Sequence, residues 1–322
     1  MKELKLGTIT DLHGNLKVLP KILKKLSENK IDILVLGGDI PKEGERNSLL
    51  KILKKCLKLR KTIFIIPGSH EGFEDYEEQL KKLKSKLIIN GAKKLKTKSF
   101  GYDFVFLPGS DYLASTGQYV LTYSISNIKK QKNKFKKNSH YFLHKKFRAF
   151  QIEKISKLIK NPEKTILISH IPCHFKSKYG IDLAEFGKVL RNFYFKKEHL
   201  KFDIFKKSLK EEMHKKNKVS KKYVFTKDAA KLLIRFGYPI NIEKKNVGNK
   251  YITRLIKQKK IKKFICGHIH ESGNRACNSN GMEVKQNKFS EELFLNSGHA
   301  EKGYFSIVIL KENKARYIKI KV

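Results

Sequence analysis

The sequence predicts an α/β fold in which two sheets pack face to face and helices cover them on the outside. Short apolar runs alternate with amphipathic segments through the first part of the chain, which is the pattern of βαβ units. From Lys93 onward, and again after Leu293, the spacing of apolar residues changes to that of antiparallel strands. With 322 residues, the chain is long enough to bury a sizeable core.

The predicted elements follow from where the apolar residues fall. Two amphipathic helices, Leu16 to Leu26 and Ser48 to Leu59, carry apolar residues three or four positions apart. Buried strands are predicted for Leu4 to Thr10, Ile33 to Leu36, Ile63 to Ile66, Ile166 to Ile168 and Phe264 to Cys266. Further strands are predicted for Lys93 to Phe100, Tyr102 to Leu107, Tyr119 to Ser124, Leu293 to Asn296, Tyr304 to Leu310 and Arg316 to Val322.

A long excursion separates the last two of the buried strands. We therefore predict a core formed by residues 1–171 and 263–322, interrupted by a mainly helical, basic insertion at 172–262 that forms a cap. A stretch of this length without structure of its own is uncommon inside a compact domain. Its helices are predicted around Leu183 to Phe195, Phe202 to Lys215, Lys227 to Phe236 and Asn249 to Gln258.

The composition indicates a folded protein in a reducing setting. The apolar fraction of 40% is ordinary, and no apolar run reaches the length of a membrane-spanning helix. The first residues enter a strand without the pattern of a secretory signal. The cysteines form no Cys-x-x-Cys pair, so a cytoplasmic location without a membrane is expected; they are Cys56, Cys173, Cys266 and Cys277.

The formal net charge is +42, which admits two interpretations. One is an electrostatic footprint for a polyanion such as nucleic acid. The other is a compositional bias, because Lys greatly outnumbers Arg and specific phosphate and base contacts favour Arg. Under either interpretation, the field attracts phosphate-bearing molecules.

Asp and His residues follow the five buried strands. The segments are Asp11-Leu12-His13, Gly37-Gly38-Asp39, Gly68-Ser69-His70-Glu71, Ser169-His170 and Gly267-His268-Ile269-His270. Strand ends are where an α/β sheet gathers residues from distant parts of the sequence into one crevice. A single residue of this kind is more often a helix cap, a turn residue or a partly buried histidine. Their joint placement after each strand favours a metal site.

The residue types narrow the choice of metal. Asp11 and His13 lie two apart, so on an extended strand end both side chains face the same way, and His268 and His270 repeat the spacing. The Asp39 carboxylate has two oxygens and can bridge two ions. Imidazole ligands suit Mn, Fe, Zn or Ni better than Ca or Mg.

The five segments resemble the calcineurin-like metallophosphoesterase family, whose pattern is D-x-H, G-D, G-N-H-[DE], a lone H, and G-H-x-H. The resemblance implies a four-layer α/β/β/α sandwich and two divalent metal ions, with Mn the first choice. It implies that the first ion is held by Asp11, His13, Asp39 and His270, and the second by Asp39, Ser69, His170 and His268.

Two departures from the family pattern modify this expectation. Ser69 stands where the family has Asn, and a hydroxyl is a shorter and weaker ligand, so either Ser69 reaches the second ion or water fills the place. In both cases we expect weaker binding of the second ion. The protein Ser/Thr phosphatases of the family carry G-D-x-x-D-R-G, whereas this chain continues from Asp39 as Ile40-Pro41-Lys42-Glu43-Gly44. The sequence therefore argues against a protein phosphatase.

The expected function is metal-dependent hydrolysis of a phosphate ester, with phosphodiesters preferred. Two ions sharing a water can generate hydroxide near neutral pH, and His70 is the expected general acid. Arg275 either contacts a substrate phosphate or is a solvated surface residue. Two alternatives stay open: a nuclease that binds nucleic acid through the basic insertion, and a non-catalytic scaffold of the same fold. The sequence gives no oligomeric state.

Overall fold

The computed structural model describes residues 3–45, 47–111, 117–124, 126–127, 146–196, 218–221 and 223–322. The chain divides into a larger unit of residues 1–182 and 247–322 and a smaller unit of residues 183–246. The smaller unit lies within the predicted insertion at 172–262. No helix in the described ranges has the length and apolar character needed to cross a membrane.

Strands and helices alternate in the first part of the larger unit, as the sequence predicts. The strands are β1 (Leu4–Ile9), β2 (Ile33–Gly37), β3 (Thr62–Ile66), β4 (Ile88–Asn90), β5 (Lys96–Ser99), β6 (Tyr102–Leu107), β7 (Tyr119–Thr122), β8 (Arg148–Gln151), β9 (Thr165–Ser169), β10 (Leu183–Val189), β11 (Phe193–Tyr194), β12 (Lys218–Val219), β13 (Val224–Thr226), β14 (Ile240–Asn246), β15 (Lys263–Cys266), β16 (Ala276–Cys277), β17 (Leu293–Asn296), β18 (Tyr304–Lys311) and β19 (Lys314–Lys321). The α-helices are α1 (Leu19–Glu28), α2 (Ser48–Cys56), α3 (Gln79–Leu83), α4 (Ile152–Ser156), α5 (Lys227–Arg235) and α6 (Lys250–Lys259).

Two six-stranded sheets form the larger unit. The first has the order β19-β18-β1-β2-β3-β4, and the second has the order β16-β17-β15-β9-β6-β5. The central strands are parallel in both sheets: β1 to β4 in the first, and β17, β15, β9 and β6 in the second. The carboxyl ends of β1, β2 and β3 therefore lie at one edge of the first sheet. The carboxyl ends of β9 and β15 likewise lie together at one edge of the second sheet.

The two sheets share a buried apolar cluster. Val35 and Phe64 of the first sheet belong to the same cluster as Phe104, Phe106 and Ile168 of the second. The alternate residues of these strands point to the opposite faces, where they belong to a second cluster together with apolar residues of α1, α2, α4 and α6. The predicted α/β fold, with sheets flanked by helices, is thus confirmed.

The structure of the smaller unit differs from the prediction in one element. The helix expected around Leu183 to Phe195 is wrong, because β10 and β11 occupy this stretch. β10 pairs with β13 and β14, and Gly187 allows α5 to approach the sheet, since a Cβ there would collide with Ala230. The helices expected around Lys227 to Phe236 and Asn249 to Gln258 are present as α5 and α6. The segment Phe202 to Lys215 lies outside the described residues.

Removing an aromatic ring from the shared cluster should cost stability. Phe104 is fully buried, and its ring lies 4.9 Å from that of Phe64. Phe104→Ala is expected to lower the free energy of unfolding by about 3–5 kcal/mol, measured by urea denaturation. Phe100→Ala is the control, because Phe100 is 60% exposed. A similar loss in both variants would contradict the assigned core.

Candidate metal centre

The Asp and His residues predicted from the sequence all lie directly beyond strand ends of the two sheets. The first sheet contributes residues after β1, β2 and β3, and the second contributes residues after β9 and β15. The loops after β1 and β2 are joined by hydrogen bonds from the Asp11 amide to the Gly38 carbonyl and from the His13 amide to the Asp39 carbonyl. This pairing fixes the two acidic loops side by side.

The backbone of the site is held in an uncommon conformation. Asp11, His13, Asp39 and His268 all have positive φ, between 45° and 72°. Non-glycine residues adopt such values at an energetic cost, and they persist where surrounding contacts over-determine them. Gly267 is required for a close approach, since a Cβ there would lie 2.5 Å from Asp11 Oδ2. The fold therefore stabilises one specific arrangement of these side chains.

The side chains converge into three overlapping groups whose donor atoms lie within 4.8 Å of one another. Asp39 and His13 each belong to two of the groups, so the set forms one continuous cluster. The groups are Asp11 with His13 and His270, His13 with Asp39 and His70, and Asp39 with His170 and His268.

The two carboxylates of the cluster are buried and ionised. Burial alone would raise the pKa of Asp39, but the neighbouring His170, together with His70 and His268, holds it well below its usual range. Burial likewise opposes ionisation of Asp11, and the hydrogen bond with His270 and the charge of His170 hold its pKa below its usual value. Two buried negative charges in contact with imidazoles need positive charge nearby.

The imidazoles respond to these charges in different ways. Burial tends to lower the pKa of His170, but the Asp39 carboxylate, reinforced by Asp11 and Glu71, raises it to about 10. Burial and the neighbouring His170 lower the pKa of His268 to about 4. Burial also lowers the pKa of His13. Burial acts in the same direction on His270, but the hydrogen bond between His270 and Asp11 outweighs it and raises the pKa of His270. His268 is therefore a neutral imidazole at neutral pH.

His170 provides a test of whether a metal ion fits the cluster. Its Nδ1 lies 3.1 Å from the Gly37 carbonyl oxygen, and a carbonyl can only accept, so Nδ1 carries the proton. Its Nε2 is buried and faces the cluster, 3.1 Å from Asp39 Oδ2. A ligating imidazole commonly donates its other nitrogen to a backbone carbonyl in this way. The residues present thus fit a divalent cation.

Ser69 is placed beside the central carboxylate. It is buried, its amide donates to Asp39 Oδ1 at 2.6 Å, and its hydroxyl donates to Asp39 Oδ2 at 2.7 Å. Arg275 has a different environment, because its Nη1 donates to the carbonyl of Lys178 at 3.4 Å. The structure thus puts Ser69 against Asp39 and gives Arg275 a backbone partner.

Glu43 is a partner of His70 that the sequence did not identify. Its Oε2 lies 3.2 Å from His70 Nδ1, while His70 Nε2 lies 3.7 Å from Asp39 Oδ2. The side chain of His70 is one-third exposed. Glu43 comes from the loop after β2, four residues beyond Asp39, and nothing in its local sequence indicates that it turns back towards His70.

Glu71 joins two loops of the site. It is buried and accepts hydrogen bonds from the amides of Ile40 at 3.1 Å and Gly68 at 2.8 Å. Burial and the Asp39 charge raise its pKa to about 8. Glu71 thus ties the Asp39 loop to the His70 loop.

His299 is a second neighbour that the sequence did not identify. Its ring stacks on that of His270 with centroids 3.7 Å apart, and its Nε2 lies 3.2 Å from Glu301 Oε2. Burial and the adjacent His270 lower the pKa of His299 to about 4. His299 follows β17, so it lies at another strand end of the second sheet, which is the signal that could have found it.

Comparisons with solved structures show likeness in fold. One structure with 15% identity covers 99% of this chain and 99% of its own, with a TM-score of 0.55. The protein TT1561 of Thermus thermophilus has 10% identity, coverage of 98% and 99%, and a TM-score of 0.53. A dimetal phosphatase from Danio rerio has 12% identity, coverage of 99% and 98%, and a TM-score of 0.46. No curated protein sequence matches this chain significantly.

The comparison with protein families is more specific. The model of the calcineurin-like phosphoesterase family matches residues 4–205, which is more than half of the chain. The match includes the loops that carry Asp11, Asp39, His70 and His170. The chain therefore belongs to the calcineurin-like phosphoesterase family.

Proposed function

We propose that the chain is a phosphodiesterase that uses two divalent metal ions, with Mn the first choice. The observation that carries the proposal is the position of Asp39, whose carboxylate lies within reach of His13 on one side and of His170 and His268 on the other. A carboxylate with two oxygens can serve two ions, one on each side. Family membership supports metal-dependent phosphoester hydrolysis as the reaction class.

The proposed ligands form two sets, one for each ion. The ions supply, when bound, Lewis-acid charge for the phosphoryl group and a lowered pKa for water. The Nε2 of His170 is buried against Asp39 Oδ2 while Nδ1 faces the Gly37 carbonyl, which supports its assignment as a ligand. The first ion is assigned to Asp11, His13, Asp39 and His270, and the second to Asp39, Ser69, His170 and His268.

His70 is assigned the proton transfer to the leaving group. Nε2 is the nitrogen nearer to Asp39, so it is the one available to a substrate bound at the centre. Glu43 accepts from Nδ1 and thereby holds the ring in the orientation and tautomer that this transfer requires. In this assignment Glu43 is a positioning residue.

The charges around the centre support a diester substrate. Among the described residues, no Lys or Arg makes a hydrogen bond or ion pair with the side chains of Asp11, Asp39, His170, His268 or His270. Positive charge for the phosphate then comes from the ions and the long-range field. A phosphodiester carries one negative charge and needs less neutralisation than a dianionic monoester.

Two chromogenic substrates test the proposal. With Mn²⁺, we expect hydrolysis of bis-p-nitrophenyl phosphate to exceed that of p-nitrophenyl phosphate in kcat/KM, and EDTA to abolish both. Faster turnover of the monoester would contradict the diester assignment. A folded protein that binds no transition metal and cleaves neither ester would instead support the scaffold alternative.

Ser69→Asn should strengthen the second metal site. Asn offers a longer side chain with a carbonyl oxygen, which is a better ligand than a hydroxyl already donating to Asp39. We expect the weaker of two Mn²⁺ binding steps to tighten about tenfold in calorimetry, equivalent to ~1.4 kcal/mol. Ser69→Ala is the matched control and should not tighten it. Unchanged or weaker binding in a folded Ser69→Asn variant would show that Ser69 does not limit this site.

Glu43→Gln tests the positioning of His70. The amide cannot stabilise a positively charged ring, so kcat is expected to fall by about tenfold while KM and Mn²⁺ affinity stay unchanged. Glu45→Gln is the control from the same loop, because Glu45 pairs with Lys42 and Lys51 instead of His70. Equal effects of the two substitutions on kcat would contradict the assignment of Glu43.

A further inference from the structure

A cavity of about 390 Å³ lies in the larger unit, and none of the proposed metal ligands lines it. Small-molecule sites have volumes of about 300–1,000 Å³, so this cavity has the size of one. It is bounded by α6, by the chain after β9 and by the segment before β17. The lining residues are Cys173, His174, Phe175, Thr253, Ile256, Lys257, Lys260, Ile261, Lys262, Ser279, Asn280, Glu292 and Phe294.

The floor of the cavity is apolar and aromatic. Phe175 and Phe294 form an edge-to-face pair with ring centroids 6.1 Å apart and an interplanar angle of 64°. Ile256, Ile261 and Cys173 complete the floor, and all five residues are buried. A surface of this kind binds a flat apolar group by contact area and ring–ring contacts.

The rim of the cavity is cationic. Lys257 and Lys260 are exposed and make no ion pair with any described residue. Lys262 is already paired, with its Nζ 3.0 Å from Glu163. The one acidic residue of the lining, Glu292, accepts a hydrogen bond from the Ser279 amide at 2.9 Å. Two lysine charges are thus left to bind an anion at the mouth.

We propose that this cavity binds an aromatic phosphate of the size of a nucleoside monophosphate. The ring lies against Phe175 and Phe294, and the phosphate contacts Lys257 and Lys260. Ser279 and Asn280 offer hydrogen-bonding groups between the two ends. The proposal is independent of the chemistry assigned to the metal centre, because the two sites share no residue.

Calorimetry on EDTA-treated protein tests the proposal with three probes, which are AMP, inorganic phosphate and adenosine. Without metal, the buried charges of Asp11 and Asp39 repel phosphate from the centre. At 0.15 M salt, which screens the general field, we expect AMP to bind at least about tenfold more tightly than either inorganic phosphate or adenosine. Equal binding of AMP and phosphate would show that the aromatic floor does not contribute to binding. Equal binding of AMP and adenosine would show that the two lysines do not contribute.

Variants localise the binding. The double variant Lys257→Glu/Lys260→Glu should weaken the binding of AMP at least about tenfold. Lys259 also lies on α6 but does not line the cavity, so Lys259→Glu should change the affinity for AMP less than about twofold. Ser279→Trp, checked for an unchanged melting temperature, should block AMP by filling the cavity. The proposal is overturned if Lys259→Glu weakens AMP as much as the double variant does, or if Ser279→Trp binds AMP normally.

Discussion

Asp39→Asn is expected to lower kcat for a phosphodiester by at least about 10³-fold, equivalent to ~4 kcal/mol in the activation barrier. Asp39 is buried, and its carboxylate accepts hydrogen bonds from the Ser69 and His70 amides. Asn retains the shape and can still accept these bonds through its carbonyl oxygen. It removes the negative charge and the second oxygen, both of which a bridging ligand needs.

The measurement combines Mn²⁺-dependent kinetics with the metal content of the purified variant. Asp32→Asn is a matched control from the opposite end of β2, where Asp32 accepts a hydrogen bond from the Lys5 amide at 2.9 Å. We expect Asp32→Asn to retain both activity and metal, and Asp39→Asn to lose most of both. If Asp39→Asn kept two ions per chain, Asp39 could not be the bridging ligand.

The sequence was sufficient to predict the positions of the site residues because strand periodicity locates strand ends. Each buried strand reads as a short apolar run, and the residue after it falls at the edge of a sheet. Asp11, Asp39, His170 and His268 were all predicted on this basis, and the structure brings them together. The order of the strands within each sheet was not needed for the prediction.

Glu43 and His299 could not be predicted in their roles, for a different reason in each case. Glu43 reaches His70 through a loop whose path depends on tertiary contacts, and a loop has no periodicity to read. His299 lies beyond β17, but its contact with His270 depends on a ring orientation that packing sets. Sequence spacing locates ends of strands, and it does not give the paths of the loops between them.

The predicted helix at Leu183 to Phe195 failed because a short apolar pattern is ambiguous. In β10, the buried residues Leu183, Gly187 and Val189 lie an even number of positions apart, so they share one face of a strand. A helix also brings Leu183 and Gly187 to the same face, since they lie four apart. The pairing with β13 and β14 decides between the two, and those partners lie more than 30 residues away in sequence.

The net charge of +42 stays without an assigned partner. Most of the Lys-rich stretch between Asn127 and Arg148 lies outside the described residues, so nucleic-acid binding remains a prediction from composition. Titration of single-stranded DNA at several salt concentrations would test it, because phosphate contacts give a steep loss of affinity with salt.

His70→Ala is expected to lower kcat for an alkyl phosphodiester by about 10²–10⁴-fold, the range typical of a lost general acid. His70 is one-third exposed and is not among the proposed metal ligands, so Mn²⁺ binding and KM should change little. The backbone amide at this position donates to Asp39 Oδ1, and the substitution leaves that hydrogen bond in place. The loop geometry is therefore retained.

The leaving group separates proton transfer from other roles of His70. An alkoxide needs a proton as it departs, whereas p-nitrophenolate is stable without one. His70→Ala should therefore reduce hydrolysis of methyl p-nitrophenyl phosphate, which expels p-nitrophenolate, far less than hydrolysis of a dialkyl ester. A loss of equal size for both leaving groups would show that His70 stabilises the phosphoryl group or the fold instead. Only a group that delivers a proton gives an effect that grows with the basicity of the leaving oxygen.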